Sequence, residues 1–265
     1  GFLFLILRRY YGLLVGFIAT ILLALSPWSI IYSRKIWPQD FILLLLIPWF
    51  LSLHKLFVDN KPQYWALYTG FSLLLIQLHL PSVFFIVVAT ALLLIHKTSL
   101  SSRYLLIGFI LGLLPLLPYI SYQLENDCPD CTAFVNTSQR LQTYDINNFM
   151  RPLQIMSQGN FSFILGNDVV NFAQNYPVVY QARILFYIEY LLLPLGMILF
   201  WQAFPKRRLL VYATILLPIL YFTLKIVPHM HYFIILTLLL FLFLAFALAK
   251  LVTHNLAPVR YGSLL

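Results

Sequence analysis

The stretch Leu22–Asp40, LLALSPWSIIYSRKIWPQD, decides how this chain is read. It opens as an apolar helix, meets Ser26-Pro27-Trp28, and runs at once into Arg34, Lys35 and Asp40. Ionisable groups at the edge of an apolar span are costly and call for a reason. The charges also fall on the side of a membrane where Lys and Arg are disfavoured, once the remaining loops are counted. A cluster that breaks the topology rule at a span end is a candidate site.

The 265 residues are 62% apolar, 17% aromatic and only 9% charged. Their mean hydropathy is +0.87. A soluble chain is about one-quarter charged, and one soluble core could not absorb this much apolar surface. The expected solvent is therefore a bilayer. The aromatic excess fits interfacial belts. A net charge of +9 would point to nucleic acid in a soluble protein. Here the basic residues sit mostly in short loops, which reads as topology plus anionic lipid rather than nucleic acid. Gly1–Leu7, GFLFLIL, has no basic n-region and reads as the tail of a span, not as a signal peptide. The chain is thus expected to be a fragment of a longer protein.

Spanning helices need about 20 mostly apolar residues. The sequence predicts eight, near Tyr10–Pro27, Phe41–Phe57, Tyr64–Leu80, Pro81–His96, Tyr104–Tyr122, Arg183–Gln202, Leu209–Lys225 and Met230–Leu251. Leu80-Pro81-Ser82 must form a whole turn, and Pro suits a first helical turn because it lacks only an N–H that has no partner there. The fold class expected is all-α, a polytopic integral membrane helical bundle with one sizeable outer loop. Residues 1–122 would hold membrane helices, 123–182 an extracytoplasmic loop and 183–265 the last helices. Alternation from Arg8 and Arg9 in the cytoplasm puts 11 of the 17 Lys and Arg residues inside. Arg34, Lys35 and Lys225 are the exceptions at span edges.

Several groups carry chemistry. Arg34 and Lys35 can bind a phosphate, Arg with a bidentate fork, and Asp40 can orient Arg34 or an acceptor hydroxyl. A short interfacial helix with snorkelling side chains is the plain alternative. Gln77 and His79 end a span but do not share a helical face; they either cap a tight turn or form a hydrogen-bonding wall. His229-Met-His231-Tyr232 follows Lys225 and Pro228. In extended backbone both imidazoles can face one way, as a polar rim for a phosphate or, with further ligands, a metal site. No metal ligand set is assigned; a divalent cation is compatible with the pattern but not demanded by it. Cys128-Pro-Asp-Cys131 lies in the oxidising outer loop, where a loop-tightening disulfide leads over free thiols and redox chemistry. Asn136-Thr-Ser and Asn160-Phe-Ser match the glycosylation acceptor pattern. Glu189 lies within a span, nearly two turns from Arg183, with no partner evident from spacing.

Leu-Ala-Leu-Ser-Pro-Trp, Tyr32-Ser33-Arg34 and Asp40 before a fresh apolar run resemble membrane glycosyltransferases of the C-type fold. The nearest group is the dolichyl-phosphate-mannose protein mannosyltransferase-like family, with the aminoarabinose transferases. Arg8-Arg9-Tyr10-Tyr11-Gly12 resembles the basic turn before this helix in that family. Leu114-Pro115 through Tyr122-Gln-Leu-Glu-Asn resembles its helix into the large outer loop, and His231-Tyr232 a later helix start. Only residues 8–40 carry a moderately specific match.

The resemblance implies transfer of a sugar from a polyprenyl phosphate to an acceptor hydroxyl, with inversion, at the outer face of a plasma membrane. The partners would be the lipid-linked donor, a protein, lipid or glycan acceptor, and membrane lipids. Arg34 and Lys35 would neutralise the lipid phosphate, while Gln77, His79, Lys225, His229, His231 and Tyr232 would line the cavity. The family's catalytic Asp lies in a loop before the basic turn, so the resemblance gives no residue here the role of base. A fragment lacking that loop would be inactive. Relatives often carry a Lys near Gln77–His79; this chain does not. A transporter or flippase of lipid-linked or anionic substrates, and a wall-polymer ligase or polymerase, are the rival readings.

Overall fold

Where the apolar runs break decides the architecture. The computed structural model describes residues 1–32, 38–128, 131, 143–157 and 165–262. Helix α1 (Phe2–Tyr11) stops at Gly12, and α2 (Leu13–Leu25) packs back against it. Ser26 interrupts the run with an extended ψ before the short α3 (Pro27–Tyr32). A 3-10 turn, Pro38–Phe41, then leads into α4 (Ile42–Phe57). Helices α5 (Trp65–Leu78) and α6 (Ser82–Ile95) are joined by His79-Leu80-Pro81.

The second half begins with α7 (Ser102–Leu113), which continues through a 3-10 turn into α8 (Leu117–Glu125). Short helices α9 (Asn147–Met156), α10 (Val169–Asn175) and α11 (Pro177–Ala182) follow. They lead to α12 (Glu189–Ala203), α13 (Arg208–Thr223) and, after the 3-10 stretch Met230–Leu236, α14 (Thr237–Gly262). No strand occurs among the described residues.

Eight full spans were expected; among the described residues, three stretches are long and apolar enough to cross a membrane: Ser102–Glu125, Pro177–Ala203 and Met230–Thr253. Gly12 and Ser26 bound α2, the extended His79 ends α5, and α4 and α13 stop at 16 residues each. With 14 residues, α5 and α6 each reach only about 21 Å.

The last stretch is the core: 89% of its most apolar window is buried, against 11% for Ser102–Glu125. Helix α14 packs on α2 and α12, and the closest contact is at Gly196, where a Cβ would overlap the Phe243 carbonyl oxygen. On the opposite flank α7 lies against α5 through Gly108, whose absent Cβ would meet the Ala66 carbonyl. Small residues let helix backbones approach this closely where apolar solvent gives no hydrophobic drive. The outward faces of α7 and α8 remain apolar and exposed, with Leu106, Phe109, Ile110, Leu114 and Leu117 among them.

Helix directions define two ends. At one, Tyr10 and Tyr11 of α1 meet His54 and Lys55 at the end of α4 and Arg207 before α13. At the other, reached by running back along α4 or forward along α2, lie Ser26, Asp40, the His79 turn and the start of the 230–236 stretch.

Candidate polar site at the histidine end

At the basic end the buried polar side chains of α1 and α4 are paired with one another. His54 Nδ1 lies 2.9 Å from the Phe50 carbonyl and must donate to it. Its Nε2 is therefore left to accept from the Tyr11 hydroxyl. Arg207 donates to the Tyr10 carbonyl and lies 4.8 Å over the Tyr11 ring and 4.7 Å over Phe204. Lys55 Nζ donates to Asp59 Oδ2 at 2.6 Å, and the Tyr10 hydroxyl donates to the same oxygen at 3.2 Å. Burial by itself pushes the Asp59 carboxyl up, but its hydrogen bond and charge contact with Lys55 outweigh this and hold it below the usual carboxylate value. Sequence reading gave His54 no role; it is the hub of this clamp.

The histidine end differs. His79 is 4% exposed, and its ring centroid lies 5.6 Å from that of His231 and 5.7 Å from that of Tyr232. His229 stacks on His231 at 5.5 Å, only 19° from parallel, because its own backbone is extended before the 3-10 stretch begins. Exposure falls along this row, from exposed His229 through half-buried His231 to buried His79. Tyr221 of α13 closes the base: it donates to the Pro81 carbonyl at 2.9 Å, with its ring 6.2 Å from that of Tyr232.

Helix α9 holds the loop that carries these histidines. Asn148 Nδ2 donates to the Ile226 carbonyl and Arg151 Nε to the Pro228 carbonyl, each at 3.1 Å. Lys225 sits in left-handed backbone (φ 55) with its ammonium 4.9 Å from the Tyr144 ring centre. The segment 143–157 is thus packed onto the bundle rather than standing apart.

Buried polar atoms normally find partners. Among the described residues, Ser26 Oγ, Ser29 Oγ, His79 Nε2 and Asn148 Oδ1 are buried without one, and all four belong to elements of the histidine end. Desolvating such atoms costs about 1–3 kcal/mol each unless a ligand or water pairs them.

The sequence-predicted residues separate into groups. His79, His229, His231 and Tyr232 come together. Gln77 does not join them, since its amide donates to the Gly112 carbonyl at 2.6 Å, on the α7 side of α5. Two residues along a helix point to different faces, so Gln77 braces α7 instead of lining the histidine cluster. Asp40 is half-buried in the turn that opens α4 and packs beside α5. Arg34, Lys35, Asn136 and Asn160 lie outside the described residues.

Cys128 and Cys131 are joined in a disulfide. Arg183 lies 3.5 Å over the Tyr180 ring and donates to the Tyr180 carbonyl at 2.7 Å, and Glu189 is buried. No group of three His, Cys, Asp or Glu among the described residues is placed to hold a metal ion. Tyr221 and Asn148 were not singled out from the sequence, and Ser82 was named only as part of the Leu80-Pro81-Ser82 turn. Comparison of the chain with protein-family models, with curated proteins and with solved structures found no match.

Proposed function

We propose that this chain belongs to a polytopic integral membrane glycosyltransferase. It moves a sugar from a polyprenyl phosphate to an acceptor hydroxyl at the extracytoplasmic face of the plasma membrane, with inversion. The observation that carries this reading is the contrast between the two ends. Among the described residues, the buried polar groups of the basic end (Tyr10, Tyr11, His54 and Lys55) have internal partners, whereas the histidine end gathers imidazoles, tyrosines and buried polar atoms without one. That difference is what a structural end and a ligand-binding end require.

Asp40 and the neighbouring Arg34-Lys35 pair belong by sequence to the histidine end, where α4 begins. The leaving group of the reaction is a phosphate ester anion. It needs cations more than a proton donor, and Arg34 with Lys35 supplies them. Asp40 orients Arg34 or the acceptor, and His79, His231 and Tyr232 wall the cavity. The exposed apolar faces of α7 and α8 are the lipid-facing surface.

The test is transfer from a radiolabelled polyprenyl-phosphate sugar by membranes containing the natural full-length protein. Arg34→Ala is expected to lower turnover at least about 100-fold, the cost of one lost transition-state contact. Normal turnover in that variant would remove the central claim.

A further inference from the structure

His79 offers one nitrogen that the fold leaves unused. Its Nδ1 lies 3.3 Å from Ser82 Oγ, while Nε2 is buried and has no partner. The ring is held from several sides. Its own backbone carbonyl accepts from the Ser82 amide at 2.9 Å, and the Tyr221 hydroxyl ties down the adjacent Pro81 carbonyl. His231 and Tyr232 stand edge-on or tilted to the imidazole. The titratable groups around it are therefore His231, Tyr232 and Tyr221, with His229 behind His231.

A neutral imidazole has one donor and one acceptor. If Nδ1 donates to Ser82, Nε2 presents a lone pair; if Ser82 donates, Nε2 presents N–H. A ligand hydroxyl both donates and accepts, so it satisfies Nε2 in either tautomer. A phosphate ester anion only accepts, and satisfies one.

We infer that His79, His231 and Tyr232 form a hydroxyl-binding subsite for a polyol, with His79 Nε2 as its polar anchor, distinct in chemistry from a phosphate site at Arg34. The inference rests on the glycosyltransferase reading. The hydroxyl belongs either to the transferred sugar or to the acceptor, and kinetics separate the two.

In the full-length protein, His79→Leu is expected to raise one KM by about tenfold, the order of one lost hydrogen bond to a buried partner. A rise in donor KM places the transferred sugar in the subsite; a rise in acceptor KM places the acceptor there. His79→Gln puts an amide near the Nε2 position and is expected to stay within about threefold of the natural KM. Leu and Gln variants equally impaired would mean a packing role and would overturn the subsite. So would transfer with unchanged KM values in His79→Leu. Absence of transfer by the unmodified protein is a different result: it overturns the glycosyltransferase reading, and the subsite falls with it.

Discussion

Asp59 shows how one side chain is set by its surroundings. It takes hydrogen bonds from Lys55 and Tyr10, and its side chain is 24% exposed. Because its carboxyl is held below the ordinary value, the pair stabilises the fold above that value. The contribution is lost as pH falls through the lowered value. Asp59→Asn is expected to cost about 0.5–1 kcal/mol at neutral pH, the size of a partly exposed ion pair. The gap between the two proteins should close below about pH 4. Thermal inactivation in detergent at several pH values measures this, and a gap that persists at low pH would show that the charge is not responsible. His54 is the opposite case. It is buried, both ring nitrogens are engaged, and it has no capacity left for a ligand. Composition cannot distinguish it from His79; hydrogen-bond accounting does.

At the scale of elements, the close seating of α12 on α14 depends on Gly196. A methyl group there would collide with the backbone oxygen of Phe243, which has no rotamer to escape into. Gly196→Ala is expected to destabilise the fold by about 1–3 kcal/mol, as overpacking does. The loss would be read as a lower melting temperature or as aggregation on size-exclusion chromatography. An unchanged melting temperature would mean that α12 sits further out. Helix α14 itself shows how a burial pattern departs from hydropathy. Ser102–Glu125 and Met230–Thr253 are both apolar enough to span, yet one is nearly all exposed and the other nearly all buried. Uniformly apolar helices carry no stripe by which their neighbours can be inferred.

For the molecule as a whole, the two ends should lie on opposite faces of a membrane. Leu100, before α7, and Leu124, near the end of α8, are both exposed, and the stretch between them is long and apolar enough to span. Leu100→Cys and Leu124→Cys are expected to react with a membrane-impermeant thiol reagent from opposite sides of sealed vesicles. Labelling from the same side would remove the spanning topology. Cys128 and Cys131, the two natural cysteines, are bonded to each other and should stay silent until reduced.

The sequence by itself determined the apolar character, the helical class and two of the places where helices break, Ser26-Pro27 and Leu80-Pro81, because these are local properties. The break at Gly12, inside the single helix expected from Tyr10 to Pro27, was not legible in it. The sequence also marked His79, His229, His231 and Tyr232, because polar groups at the ends of apolar runs are conspicuous. Tertiary structure decided which of them meet. Gln77 and His79 are two residues apart, yet one braces α7 and the other faces a loop about 150 residues away. It decided too that His54 is a clamp and that Asn148 and Tyr221 help to build the site. These are consequences of long-range packing, and pairing across such distances leaves no trace in spacing or period. Buried atoms without partners become visible only when every neighbour is in place.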